Sequence, residues 1–593
     1  MKRIFYTLFF LLSIVKGQQK DIKIAFLSDV HFQDLYGNFS DNHFKGILNT
    51  KTGKNTILRT MDSQLHSTRI FNENYFAFIK ALDDIAKKDI KIVAMPGDFS
   101  DDGQTYNLRG LHKILSNYHD KYGINFYLTT GNHDPVGPYR KDGGKDDFLG
   151  DDGKAIGIYS KDSIGKTNHK IITKDIAESG YLEILNELKD FGFYPKKEDL
   201  FWSTPFIENN EKYTYEQALN NAAYSKRMYE VEKGFSVPDL SYVVEPTNGV
   251  WLLAIDGNTY IPKKMNERTD NSSNYKGASI GYNNVLTNKK HLIDWVKNIV
   301  KQAKQKHKTL VAFTHYPMID FNDGATNEIK KLLGDKKWQL ERIPDESVAK
   351  VFAEAGLEVH FAGHMHINDT GTRKIGDNFL VNVQVPSLAA YIPAYKILTI
   401  KSDDKMEVNT EVLNDVPRFD ELFPLYEKEY SILEKEKGHI SWNKEILKPK
   451  SYHDFMLFHL KELVRLRMIP NDWPKDFIDK AQYLNGEDLL LLSLNEQSNA
   501  NNFDLKEFRK WNFEDLILDL YKFQSADEFA KKDIPKNRLD NYKILEELFV
   551  QNTSSDLFIT QLKSLFKILS FLSNGEPSDH FEIDLKSKSI RRL

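Results

Sequence analysis

The chain has 593 residues, with 81 Lys and Arg against 85 Asp and Glu, a net charge of −4 and no cysteine. That length exceeds what one hydrophobic core serves, so at least two domains are expected. The near balance of charge leaves no basic field for nucleic acid, and the missing cysteines exclude disulfides, thiolate metal sites and a thiol nucleophile.

Residues 1–17 differ from the rest. Lys2 and Arg3 precede an apolar run from Ile4 to Val15, followed by Gly17. The pattern reads as a secretory signal peptide, with the mature chain starting near Gln18 and an exported, periplasmic or extracellular location. The run is short for a bilayer span, and no later segment is long and apolar enough for one, so no membrane span is expected after signal removal.

Residues 22–28 form a short apolar run suited to a buried strand, ending in Asp29-Val30-His31. Two side chains spaced by two lie on one side of an extended chain and can reach a common ion. Helical spacing of Ile70, Tyr75, Phe78, Ile79, Leu82 and Ile85 predicts a helix over 67–88. A strand over 91–95 feeds Gly97-Asp98-Phe99-Ser100-Asp101-Asp102-Gly103, and a helix follows over 106–119. The next strand, 124–129, delivers Gly131-Asn132-His133-Asp134. Strands alternating with helices, with polar clusters after the strands, are the α/β arrangement that builds a site along one sheet edge.

Residues 136–157 are rich in Gly, Asp and Lys and predict a long surface loop; Asp146, Asp147, Asp151 and Asp152 do not match the spacing of a calcium loop. Arg140 and Lys141 read as solvated loop charges. Helices are expected at 182–188 and 213–231, and residues of about 136–286 are assigned to an insertion that shapes a pocket. Strands at 240–244 and 250–255 pair through a turn. An amphipathic helix carries Leu292, Trp295, Val296, Ile299, Val300 and Ala303 on one face. The strand 309–313 leads to Thr314-His315-Tyr316-Pro317; a helix over 346–355 and a strand over 357–361 lead to Gly363-His364-Met365-His366. Closing strands are expected at 379–384, 396–401 and 406–413. From Pro417 onward the sequence is long, charged and helical without a chemical motif, so 415–593 is assigned to a mostly helical accessory domain after a domain spanning 18–414.

Every polar cluster follows an expected strand. Together they offer Asp29, His31, Asp98, Asn132, His315, His364 and His366, a set of imidazoles and hard oxygens without sulfur. Such donors suit Zn, Mn or Fe rather than Ca or Mg. They exceed the need of one ion, and two ions sharing Asp98 at a separation of about 3.5–4 Å are the economical solution.

The series Asp-x-His, Gly-Asp-x-x-Asp-Asp-Gly, Gly-Asn-His-Asp, His before Tyr-Pro, and Gly-His-x-His, in that order over residues 21–411, resembles the calcineurin-like metallophosphoesterase family. The resemblance implies an α/β fold, α+β in detail: a central mixed β-sheet sandwich flanked by helices in four layers. It implies Asp29, His31, Asp98 and His366 at a first metal, and Asn132, His315 and His364 completing a second that Asp98 bridges. It further implies that His133 faces the substrate phosphate as proton donor or charge stabiliser, with Asn132 beside it, and that Asp101 orients His133. Asp101 stands where the purple acid phosphatase branch has a tyrosine ligand, so no tyrosinate–iron colour is expected. The implied activity is hydrolysis of a phosphate ester, monoester or diester, by a hydroxide shared between two cations that attacks phosphorus in line. The alternative from another class is a metal-stabilised cell-surface binding or scaffold protein without catalysis, which would have no need of His133.

Overall fold

The computed structural model describes residues 21–593, apart from 168, 208–212, 403, 438–440 and 495–498. The expected signal segment, 1–17, lies outside the described residues. Two seven-stranded mixed sheets form the centre. In the first, Ile22–Phe26, Ile92–Pro96 and Asn125–Thr129 run parallel, and Ala394–Ser402, Lys405–Val412, His580–Asp584 and Ser589–Arg592 continue it antiparallel. In the second, Val250–Ile255, Thr309–Thr314, Val359–Ala362 and Asn378–Gln384 run parallel, edged by antiparallel partners.

The parallel strands are short apolar runs because both of their faces are covered. Ile92–Pro96 and Val250–Ile255 are buried at every residue. The sheets pack face to face: Phe26 of the first stacks on Phe361 of the second with ring centroids 3.7 Å apart, and Phe313 meets it edge-on at 6.4 Å. Helices cover the outside. Thr105–Tyr122 packs on Asn125–Thr129 and on Asn74–Lys87, while Lys290–Gln305 packs on Thr309–Thr314 and on Glu346–Glu354. The expected four-layer α/β class is the one observed, and no helix among the described residues is long and apolar enough to cross a membrane.

Several segments depart from expectation. The helix expected over 67–88 starts later, as Asn74–Lys87; a short helix, Met61–Leu65, precedes the expected range, and the turn between the two presents Arg69 to the sheet edge. Residues 136–157 are not a plain loop. Gly144–Leu149 and Ala155–Tyr159 pair antiparallel, and the acidic residues there serve the fold, Asp147 holding Arg59 and Asp146 accepting from the Tyr159 hydroxyl. The helix expected over 213–231 stops after Tyr215–Asn221, and Met228–Glu232 is a strand. The range 136–286 is not wholly an insertion, since Phe201–Ser203, Tyr242–Thr247 and Val250–Ile255 belong to the second central sheet.

Among the described residues, the elements between Phe423 and Ser573 are helices, but the last two strands extend the first sheet beside Lys405–Val412. It therefore shares the core of the sandwich rather than standing apart from it. Buried polar contacts fix the junction: Lys396 Nζ donates to Asn368 Oδ1 and to the Ser578 carbonyl, each at 2.5 Å, and Tyr426 donates to Glu73 at 2.7 Å. Hydrogen bonds made away from water hold such a junction in one register.

Candidate metal centre

All the parallel strands point their C-terminal ends to one rim, where the turns that follow carry the polar clusters. The backbone there is held in an uncommon conformation. Asp29, His31, Asp98, His364 and His366 all have positive φ, between 43° and 73°. For residues with a β-carbon this conformation costs about 1 kcal/mol or more each, and such strain gathers at functional sites. It turns consecutive side chains inward off the strand ends. Two glycines make the close approach possible. A β-carbon at Gly131 would sit 2.1 Å from Asp98 Oδ1, and one at Gly363 would sit 2.2 Å from Asp29 Oδ2.

Two ligand groups result: Asp29, His31 and His366, and Asp98, His315 and His364. Within the first, His366 Nε2 is 3.3 Å from Asp29 Oδ1 and 3.1 Å from His31 Nε2. Within the second, His315 Nε2 is 3.2 Å from Asp98 Oδ2, 3.1 Å from His364 Nδ1 and 3.1 Å from Asn132 Oδ1. Asp98 Oδ2 also lies 3.8 Å from His31 Nε2, which puts this one oxygen between the two groups.

Neighbouring carbonyls set the tautomers. His315 Nδ1 donates to the Pro96 carbonyl at 3.0 Å and His364 Nε2 to that of Ser279 at 2.9 Å. Each ring thereby keeps its other nitrogen, with its lone pair, facing the cluster, as an outer hydrogen bond does for a metal-bound histidine. Ser28 Oγ and the His364 amide hold Asp29 Oδ2 at 2.7 and 2.9 Å.

The charge balance fits cations. Asp29 and Asp98 are 0% and 2% exposed, and their ion-pair partners are imidazoles rather than lysines or arginines. Burial, followed by the charge of Arg69, holds the His31 imidazole well below its usual pKa; burial, followed by Arg342, does the same to His364. Neutral rings with inward lone pairs are ligands rather than counter-ions. Burial works against protonation of His315, yet Asp98 and Asp29 outweigh it and raise its pKa. Burial likewise pushes the Asp98 carboxyl up, but His315 and His133 pull it well below the ordinary range. His31 Nδ1 is buried without a partner. Buried carboxylates clustered with neutral imidazoles lack the positive charge that burial demands, and divalent ions supply it.

His133 stands beside this cluster. Its amide donates to Asp98 Oδ1 at 2.9 Å, and its ring lines the cavity above the ligands. The carboxylate on its Nδ1 is Asp102, where the sequence pattern pointed to Asp101. The reason is local. Asp101 is engaged by two arginines, Arg59 Nη1 at 3.1 Å and Arg69 Nη2 at 3.0 Å, while Asp102, at φ 61°, swings its carboxylate to His133 and Lys145. Burial would raise the Asp102 carboxyl, but Lys145 and His133 hold it well below the usual range. An ionised Asp102 makes Nδ1 the ring's donor. Of the sequence-derived residues, Asp29, His31, Asp98, Asn132, His133, His315, His364 and His366 converge at the rim, and Asp101 lies one shell further out.

The cavity over this centre has a volume of about 260 Å³. Its walls include residues with no sequence signal: Arg69, Arg342, and, from the C-terminal helices, Arg467, Leu460 and Gln524. Isolated arginines in unremarkable contexts carry no motif, and the contribution of residues beyond 415 depends wholly on how those helices dock. Arg140 and Lys141 are engaged elsewhere, with the Lys174 carbonyl and Glu178.

A family model described as calcineurin-like phosphoesterase matches residues 22–368. No curated protein sequence matches the chain. Among solved structures, a dimetal phosphatase from Danio rerio is similar at 9% identity and a TM-score of 0.34, covering 66% of this chain and 95% of that one. Purple acid phosphatase PPD1 from yellow lupin (Lupinus luteus) seeds is similar at 10% identity and 0.32, covering 67% and 52%. GAP50, described as the anchor in the inner membrane complex of Plasmodium, is similar at 9% identity and 0.27, covering 66% and 84%.

Proposed function

The chain belongs to the calcineurin-like phosphoesterase family and is by that membership a metal-dependent hydrolase of phosphoric esters; we propose that it works with two cations, one held by Asp29, His31, Asp98 and His366 and the other by Asp98, Asn132, His315 and His364. The observation that carries this assignment is Asp98 Oδ2, set 3.8 Å from His31 Nε2 and 3.2 Å from His315 Nε2, where one oxygen serves both groups. The donor set suits Zn, Mn or Fe. When bound, the cation pair supplies an acidified water and neutralises charge that builds on the phosphoryl oxygens.

The residues of the chain do the rest. Asn132 and His133, on one turn, meet the substrate phosphate. Asp102 accepts from His133 Nδ1 and steadies the ring when it is protonated on both nitrogens, the form in which Nε2 can give its proton to the departing oxygen, a contribution of about 10²–10⁴-fold in such reactions. Arg69, held by Asp101 at 3.0 Å, adds positive charge on the same wall.

The test is phosphate release from p-nitrophenyl phosphate and bis(p-nitrophenyl) phosphate by protein loaded with Mn or Zn. Activity is expected with metal, lost with chelator, and reduced at least a hundredfold in His133→Ala. Metal-loaded protein inert on monoesters, diesters and pyrophosphate would refute the assignment. We further propose export directed by residues 1–17. N-terminal sequencing of protein recovered outside the cytoplasm is expected to start near Gln18; recovery inside the cell with Met1 intact would contradict it.

A further inference from the structure

Two arginines on the cavity wall are held by no carboxylate through a direct hydrogen bond or ion pair among the described residues. The Arg342 side chain is half-buried and lines the cavity beside His364 and Asp98, yet it makes no hydrogen bond or ion pair with any described residue. Arg467 lines the same cavity from the C-terminal helices; among the described residues its side chain donates to the His66 carbonyl at 3.1 Å, a neutral group, and Asp472 is within reach of its charge but not hydrogen-bonded to it. Burial disfavours the charge on Arg342, Glu341 and Asp98 favour it, and Arg467 lies near enough to oppose it. Arg69 differs, because Asp101 already holds it in an ion pair.

The fold holds this pair in place. Arg342 ends the turn Leu340–Arg342, and Trp338 just before it stacks on Tyr521 of a C-terminal helix with centroids 4.7 Å apart. Trp473 Nε1 then donates to the Tyr521 hydroxyl at 3.1 Å. The C-terminal region thus supplies one arginine and buttresses the other. Two guanidinium groups lining one cavity, neither gripped by a carboxylate, present donors to an anion that enters it. The reacting phosphate is already met by the cation pair and His133. A guanidinium fork binds phosphate through paired, charge-assisted hydrogen bonds.

We infer that the site takes phosphate esters carrying a second phosphate group, which Arg342 and Arg467 clasp while the first is hydrolysed. This rests on the proposed function and names its substrate class. It also gives the helices beyond residue 415 a role as the specificity wall.

The experiment compares three esters of one length on the metal-loaded full chain: propyl phosphate, 3-phosphooxypropionate and 1,3-propanediol bisphosphate. Binding is read by calorimetry beside turnover. The bisphosphate is expected to exceed propyl phosphate in kcat/KM by roughly ten- to a hundredfold, the worth of a hydrogen bond to a charged group, with the carboxylate between them. In Arg342→Ala and Arg467→Ala the loss on the bisphosphate should exceed the loss on propyl phosphate at least tenfold, with Arg342→Lys restoring part of it. Wild type without preference, or variants that lose all three esters equally, would overturn the inference while leaving the hydrolase intact. 3-Phosphooxypropionate turned over best would overturn the second phosphate as the recognised group. Absence of turnover with selective bisphosphate binding would instead sink the hydrolase and keep the clasp.

Discussion

The division of labour between Asp101 and Asp102 can be separated by two substitutions that change one atom group each. Asp102→Asn removes the negative charge from His133 Nδ1 and leaves the shape. A hydrogen bond to a charged group contributes about 1.5–3 kcal/mol, and each 1.4 kcal/mol is tenfold in rate, so kcat is expected to fall about ten- to a hundredfold. Asp101→Asn acts elsewhere. It takes the counter-charge from Arg59 and Arg69, whose side chains are 6% and 12% exposed. Breaking a buried pair by removing one partner costs about 3–5 kcal/mol. Arg59 keeps Asp147 at 2.5 Å, which brings the expected loss to the lower end, about 3 kcal/mol. Steady-state phosphate release at matched metal content reads the first effect, and thermal unfolding of the same samples reads the second. The signature is a slow, stable Asp102→Asn beside a less stable Asp101→Asn that keeps more of its kcat. The reverse pattern would restore Asp101 as the residue that orients His133.

Four other outcomes are expected. Asp98→Asn weakens both cation sites at once, so metal analysis should find less than half of the wild-type content, whereas His31→Ala should spare the site that holds His315; equal losses in the two variants would contradict a shared oxygen. Gly363→Ala pushes a β-carbon to 1.9 Å from Ser28 Oγ and 2.2 Å from Asp29 Oδ2, an overpacking cost of about 1–3 kcal/mol that should displace Asp29 and lower metal content; wild-type loading would show that the turn yields freely. Chelation should lower the unfolding temperature, since ions that bind only the native state stabilise it by about 4 kcal/mol at a thousandfold excess over Kd; an unchanged transition would mean that the ions contribute nothing to the fold. Burial, then Asp527 and Glu576, raises the Asp323 carboxyl from 3.8 to about 8. A carboxyl raised in the fold stabilises below its unfolded pKa, and that stability is lost as pH climbs through the folded value. Unfolding temperature should therefore decline between about pH 4 and pH 8, and Asp323→Asn should flatten the decline; an identical profile in the variant would exclude Asp323 as its source.

The sequence by itself determined the chemistry. Ligand residues such as Asp29, His31, His364 and His366 sit one residue apart after apolar runs of four to seven residues, and strand ends in a parallel sheet meet at one rim whatever the loops do. That is why these short motifs, hundreds of residues apart, already implied one centre and one fold class. Tertiary structure decided what no spacing encodes. Asp101 and Asp102 are neighbours of one type, and only the arginines arriving from residues 59 and 69 and the lysine from 145 choose which carboxylate faces His133. The turn at 66–73, the hairpin at 144–159 and the return of His580–Asp584 to the first sheet are set by partners distant in sequence. So is the cavity wall. Arg342 and Arg467 belong to ordinary turn and helical sequence, and they line one cavity once the C-terminal helices have docked, with Trp338 stacked on Tyr521. Periodicity reports which face of an element is buried, but not what buries it.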